Sequence, residues 1–161
     1  MNCARGSVLP TPTKPTGEHV RAFVSYAHSD VAERTVHAIA DALRHGGISV
    51  WNPAEDIYVG QDLKSSLDYA LHEADLFVVL VSENYMRSVW CRAEFDLLLA
   101  ENEKTGKPVI PVLLVGVDGP GLLGGFQAID GRARDPREIA DQIADAARRA
   151  TERTETVAAA S

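Results

Sequence analysis

The run Leu76-Phe77-Val78-Val79-Leu80-Val81 constrains this chain more than any other stretch. It offers no polar position to turn towards water, so it describes a strand covered on both faces. Such a strand needs a layer of helices on each side, which means a sheet inside an α/β domain. The flanking sequence supplies those helices. Asp62 can cap one over Leu63 to Glu73, with Leu63, Leu67, Ala70 and Leu71 inward. Ser88 opens another that reaches about Glu103, with Cys91, Phe95 and Leu98 at the i, i+4, i+7 spacing of a buried stripe.

The rest of the chain repeats the alternation. Val20 to Tyr26 reads as a first buried strand, and Ala27 to Asp30 as a turn. Ser29 or Asp30 can cap the next helix, with Glu33 at capping-box distance from Asp30. Val36, Ile39, Ala40 and Leu43 form its apolar face, and Gly46-Gly47 stops it. Ile48 to Trp51 is a second strand, and Asn52 to Gln61 a loop marked by Pro53 and Gly60. Lys104 to Lys107 is a turn, and Pro108 to Val115 a fourth strand. Gly116 to Gly125, with five glycines and a proline, is a loop with at most one helical turn. Phe126 to Ile129 is a short fifth strand, and a last helix begins at Asp135 or Pro136 with Ile139, Ile143 and Ala147 apolar. This spacing predicts a flavodoxin-like five-stranded parallel sheet, order 2-1-3-4-5, with helices on both faces. The expected organisation is a disordered Pro-rich lead-in over 1–18, one domain over 19–150 and a flexible tail over 151–161.

Within that topology, one residue stands out. Trp90 and Glu94 are four apart on one helix face, just beyond the carboxyl end of the central strand. Ligands bind at that end of open α/β sheets. Position alone leaves two readings of Glu94, a solvated helix residue or the centre of an active site. The topology brings three loops to the same edge: Ser25, Tyr26 and His28 after the first strand, Trp51 to Gly60 after the second, and Ser82 to Glu94 after the third. Lys64 and Arg87 add cations, and helix N-termini near Ser29, Asp62 and Ser88 add oriented N–H donors. Such a set suits a ligand with an aromatic base, ribose hydroxyls and a pyrophosphate. Either tryptophan can instead be plain packing.

Several other chemistries are excluded or poorly supported. A net charge of −7, from 16 basic and 23 acidic residues, argues against a nucleic-acid partner. No glycine-rich phosphate motif follows the first strand, and Gly116 to Gly125 contains no lysine. The histidines His19, His28, His37, His45 and His72 lack a second ligand at metal-site spacing, so no metal is expected. The first strand ends Ser25-Tyr26-Ala27-His28, without the clustered carboxylates of a phospho-acceptor receiver. No G-x-S-x-G elbow is present, and Cys91 reads as core rather than nucleophile. The 161 residues hold only two cysteines, Cys3 and Cys91, with no expected pairing, which favours the cytoplasm. No apolar run approaches the roughly 18 to 20 residues that cross a membrane, and Met1 to Val8 lacks a signal core.

Three stretches carry a family resemblance: Ala22-Phe23-Val24-Ser25-Tyr26-Ala27-His28-Ser29-Asp30, then Glu55-Asp56-Ile57 through Gly60, then Ser88-Val89-Trp90-Cys91-Arg92-Ala93-Glu94. In combination and order they resemble a Toll/interleukin-1 receptor (TIR) domain of the prokaryotic NAD⁺-cleaving type. The resemblance implies that Glu94 is the catalytic carboxylate of an NAD⁺ glycohydrolase that breaks the nicotinamide–ribose bond. The product would be ADP-ribose or a cyclic isomer. It implies substrate contacts from Ser25, Tyr26, His28, Trp51, Asp56, Gly60, Lys64, Ser82 and Trp90. The loop Asn52 to Gln61 resembles the family's BB loop, which gates the pocket and touches a neighbouring protomer. The expected partners are NAD⁺ as substrate, with no cofactor, other TIR domains in a homo-oligomer or filament, and a sensor protein or domain. The layout resembles bacterial anti-phage signalling proteins. The competing reading is a non-catalytic TIR–TIR scaffold, since the family contains both kinds.

Overall fold

The computed structural model of the protein describes residues 20–27, 30–52, 60–118, 122–123 and 125–160. Five strands form one parallel sheet: β1 (Arg21–Tyr26), β2 (Ser49–Trp51), β3 (Leu76–Val81), β4 (Val109–Leu113) and β7 (Ile129–Asp130), in the order β2-β1-β3-β4-β7. The helices are α1 (Asp30–His45), α2 (Leu63–Glu73), α3 (Glu83–Arg87), α4 (Val89–Thr105) and α5 (Pro136–Ala159). A small antiparallel pair, β5 (Leu122–Leu123) with β6 (Phe126–Gln127), stands apart from the sheet. The flavodoxin-like order expected from the alternation is the order found. None of these helices is long and apolar enough to cross a membrane.

All six residues of β3 are buried, and the pleat divides them as the unbroken apolar run requires. Leu76, Val78 and Leu80 enter a first layer with Val36, Ile39 and Leu43 of α1 and Ile139 and Ile143 of α5. Phe77, Val79 and Val81 enter a second layer with Leu67 and Leu71 of α2, Tyr85 of α3, and Cys91 and Leu98 of α4. Fully burying one such side chain stabilises by about 1.5–3 kcal/mol, so this strand is the main anchor between the layers.

The sequence reading needs four adjustments. The fifth sheet strand is Ile129–Asp130, paired in register with Val112 and Leu113, while Phe126–Gln127 turns back on Leu122–Leu123. Between those two strands Gly125 takes φ 86°, a left-handed conformation that favours glycine, so the glycine-rich stretch is more than a loop. Ser82 to Arg87 contains the short helix α3. Leu63, expected inward, is 36% exposed because it starts α2 outside the turn that meets the sheet. Finally, α5 continues past residue 150 to Ala159, through the segment read as a tail, because its alanine-rich sequence favours helix. The lead-in over 1–18 lies outside the described residues, as do Ser29 and the side chains of Asp30 and Glu33 read as caps.

Candidate active site

The first link is the end of β1. Alternation sends Phe23 into the second layer and Val24 and Tyr26 into the first, so Ser25 faces the second layer with Phe23. Ser25 is 0% exposed in an otherwise apolar region, and its hydroxyl therefore needs partners. They come from the segment after β3. Ser82 caps α3 by accepting the Tyr85 N–H at 3.1 Å, and this cap orients Tyr85 inward. Ser88 then joins two helices. Its N–H donates to the Asn84 carbonyl at 3.0 Å, closing α3, and its Oγ accepts the Cys91 N–H at 3.2 Å, opening α4. At the far end, Gly106 at φ 73° stops α4.

Helix α4 started at Ser88 delivers Glu94 against β1. Ser25 Oγ donates to Glu94 Oε2 at 2.8 Å, and Trp90 Nε1 donates to Glu94 Oε1 at 2.8 Å. The Tyr85 hydroxyl lies 3.1 Å from Ser25 Oγ. Glu94 is only 6% exposed, and a buried carboxylate is costly unless such bonds compensate it. Hydrogen bonds to a charged group contribute about 1.5–3 kcal/mol each, enough to hold it in one orientation. The indole that donates to Glu94 is itself 52% exposed, so the carboxylate stands just beneath an accessible aromatic surface.

The neighbouring titratable groups stay neutral. Burial pushes the Tyr85 phenol well above its ordinary range. The bond to Ser25 opposes this, while nearby Cys91 and Glu94 reinforce it. Burial also pushes the Cys91 thiol up, with the Ser88 bond opposing and the charge of Glu94 adding. A thiol held protonated is a poor nucleophile. It donates towards the Tyr26 carbonyl at 3.9 Å, which fits the reading of Cys91 as core.

The candidates named from sequence separate into groups. Ser25, Trp90 and Glu94 come together. Ser82 is close but acts as the α3 cap. Tyr26 faces the opposite layer, where its hydroxyl accepts from Asn52 Nδ2 at 2.7 Å. Trp51 stacks on Phe23 with ring centroids 5.2 Å apart, so one of its faces is packing. Gly60, at φ 91°, and Lys64, on the first turn of α2, are exposed. Arg87, read as a nearby cation, pairs with Glu83 at 2.5 Å. His28, Asp56 and most of the Asn52 to Gln61 loop lie outside the described residues. Sequence reasoning missed Tyr85 and Asn52. The signal for Tyr85 was Ser82 three residues earlier, a helix cap read as loop.

The fold and this cluster define a class: a flavodoxin-like α/β domain with a buried, doubly hydrogen-bonded carboxylate at the carboxyl edge of its sheet. The family model of the TIR domain matches residues 22–150, and the chain belongs to that family. It is 28% identical over 104 residues to the 2' cyclic ADP-D-ribose synthase BtTIR of Bacteroides thetaiotaomicron, covering 65% of this chain and 34% of that protein. It is 28% identical over 81 residues to the NAD(+) hydrolase TcpC of Escherichia coli O6:H1, covering 50% of this chain and 26% of that protein. Thus the chain spans about a third or less of the length of these curated relatives. The crystal structure of the TIR domain of the Toll-related receptor TRR-2 from Hydra magnipapillata superposes with a TM-score of 0.63 at 17% identity, over 79% of this chain and 97% of that one, a likeness of fold. At family level, then, relatives of this chain include an NAD(+) hydrolase and a cyclic ADP-ribose synthase.

Proposed function

We infer that this chain cleaves the nicotinamide–ribose bond of NAD⁺, with Glu94 at the reacting centre. The observation that carries this reading is the Glu94 carboxylate, buried yet fixed by Ser25 and Trp90 under a half-exposed indole. The chemistry needs one carboxylate and no general acid. As the C1′–N bond breaks, its electron pair returns to the pyridinium nitrogen and nicotinamide leaves neutral. Positive charge develops on the ribose, as in glycoside cleavage. A fixed, partly desolvated carboxylate stabilises that charge, or bonds to C1′ for the lifetime of an intermediate. Water then gives ADP-ribose and a proton, while a hydroxyl or base nitrogen of the same molecule gives a cyclic isomer.

Assembly belongs to the same reading. Val89 is 83% exposed and Trp90 52%, with Met86 at 41% on the preceding helix, so apolar surface lies beside Glu94. A neighbouring TIR domain covering it would complete the pocket, in the manner the bacterial defence setting of the resemblance suggests. The test is to cluster the protein at high concentration with NAD⁺ and resolve nicotinamide, ADP-ribose and cyclic products by chromatography. Wild type should release nicotinamide and Glu94→Ala should not. Equal release by both sinks the role of Glu94. Self-association without release under every clustering condition would leave the interaction module as the function.

A further inference from the structure

Tyr85 is buried at 2% exposure on a helix of five residues, in a layer filled mainly by phenylalanine, leucine, valine and alanine. Phenylalanine would fill the same volume without a polar atom to satisfy. A buried phenol needs a partner, and here it is Ser25 Oγ at 3.1 Å. The direction of that bond follows from the next one. Ser25 has one proton, and an ionised Glu94 can only accept, so the serine proton lies on the 2.8 Å bond to Glu94 Oε2. The proton between Tyr85 and Ser25 must then come from Tyr85.

We propose that Tyr85 is a positioning residue for Glu94, acting through Ser25: its hydroxyl donates to the serine oxygen and thereby strengthens the serine's bond to the carboxylate. The proposal rests on Glu94 being the reacting carboxylate, and it adds a third residue, which reaches Glu94 through Ser25. Three elements take part. Tyr85 comes from α3, set by the Ser82 cap, Ser25 from β1, and Glu94 from α4, set by the Ser88 cap. Bonds arranged head to tail polarise one another, so the serine is a stronger donor with Tyr85 behind it than without. Without Tyr85 the serine still donates to Glu94, but with no donor behind it that bond is weaker. Tyr85 from α3 and Cys91 from α4 are titratable groups that feel the charge of Glu94. Cys91 is unchanged in every variant below.

The experiment follows the Glu94 side-chain carbonyl carbon by NMR across pH in the full chain, which needs no substrate. Tyr85→Phe should raise the Glu94 titration midpoint. The same substitution on a Ser25→Ala background should add nothing, because the serine carries the effect. Fluorotyrosine placed at position 85 keeps the shape but donates more strongly, and should lower the midpoint. It also serves if Tyr85→Phe does not fold. A control at Tyr69→Phe, 62% exposed on α2, should leave the midpoint where it is. In turnover, Tyr85→Phe should lower kcat by roughly three- to tenfold, the worth of one hydrogen bond, with KM little changed. A midpoint that neither Tyr85 variant moves, or that Tyr85→Phe moves equally with and without Ser25, overturns the proposal. If the titrations behave as expected while wild type releases no nicotinamide, the NAD⁺ reading fails and the positioning role stands.

Discussion

Replacing Glu94 by glutamine separates charge from packing at the candidate site. The two side chains match in size, so no cavity forms. The carboxamide oxygen can take over the Trp90 Nε1 bond, 2.8 Å long in the wild type. The carboxamide nitrogen then faces Ser25 Oγ as a donor, and the serine proton must swing to the Tyr85 oxygen. The Tyr85 proton is left without its acceptor in a region closed to water. One buried, unsatisfied hydroxyl costs roughly 1–3 kcal/mol. A domain of ordinary stability, about 5–15 kcal/mol, stays more than nine-tenths folded after that loss. The effect on rate should be far larger. Removing a preorganised electrostatic group typically costs 100- to 1000-fold in kcat, about 3–4 kcal/mol of barrier. Chemical denaturation and nicotinamide release, measured on the same sample, give both quantities. A Glu94→Gln protein that cleaves NAD⁺ at the wild-type rate refutes the electrostatic role. One with unchanged stability refutes the assigned direction of the hydrogen-bond chain.

Ser88→Ala removes the Oγ that caps α4 and should cost about 1 kcal/mol in a urea titration, with reduced turnover because the cap sets the start of the helix that carries Glu94. Gly131→Ala should destabilise by about 1–3 kcal/mol. The added Cβ would lie 2.9 Å from the Leu113 carbonyl and 3.0 Å from Ile139 Cδ1, and thermal unfolding reads the loss. Arg132 holds the exposed Asp130 carboxyl down at about 2, by hydrogen bonding first and charge second. Because the folded value lies below the unfolded one, this contribution is present above pH 3.8 and fades as pH falls towards 2. Arg132→Met should return the Asp130 midpoint upward in an NMR titration, and an unmoved midpoint would show that the pair does not form.

The sheet was legible because β3 leaves its burial no choice, and the strand order follows from the alternation of strands and helices. Glu94 was legible through the i, i+4 relation to Trp90 and through the strand end that faces it. What stayed hidden depends on finer geometry. Ser25 and Tyr26 are adjacent in sequence, yet the pleat sends them to opposite layers, so a list drawn from one loop mixes site with core. Trp51 reads as an aromatic ligand platform until its register partner, Phe23, is seen to stack on it. Tyr85 sits on a helix only five residues long, too short for hydrophobic periodicity to show. The β5–β6 hairpin, with Gly125 at positive φ, lies inside a stretch whose composition says only loop.

The sheet also acts as a partition between two kinds of tolerance. Among the described residues, the cluster at Glu94 is built by β1, α3 and α4 on one side, and the α1–α5 layer contributes no side chain to it. Repacking Val36, Ile39, Leu43, Ile139 and Ile143 can therefore retune heat resistance while the Glu94 cluster stays fixed. The exposed final turns of α5, beyond the last inward residue Ala147, give a place to graft another domain away from the Glu94 cluster.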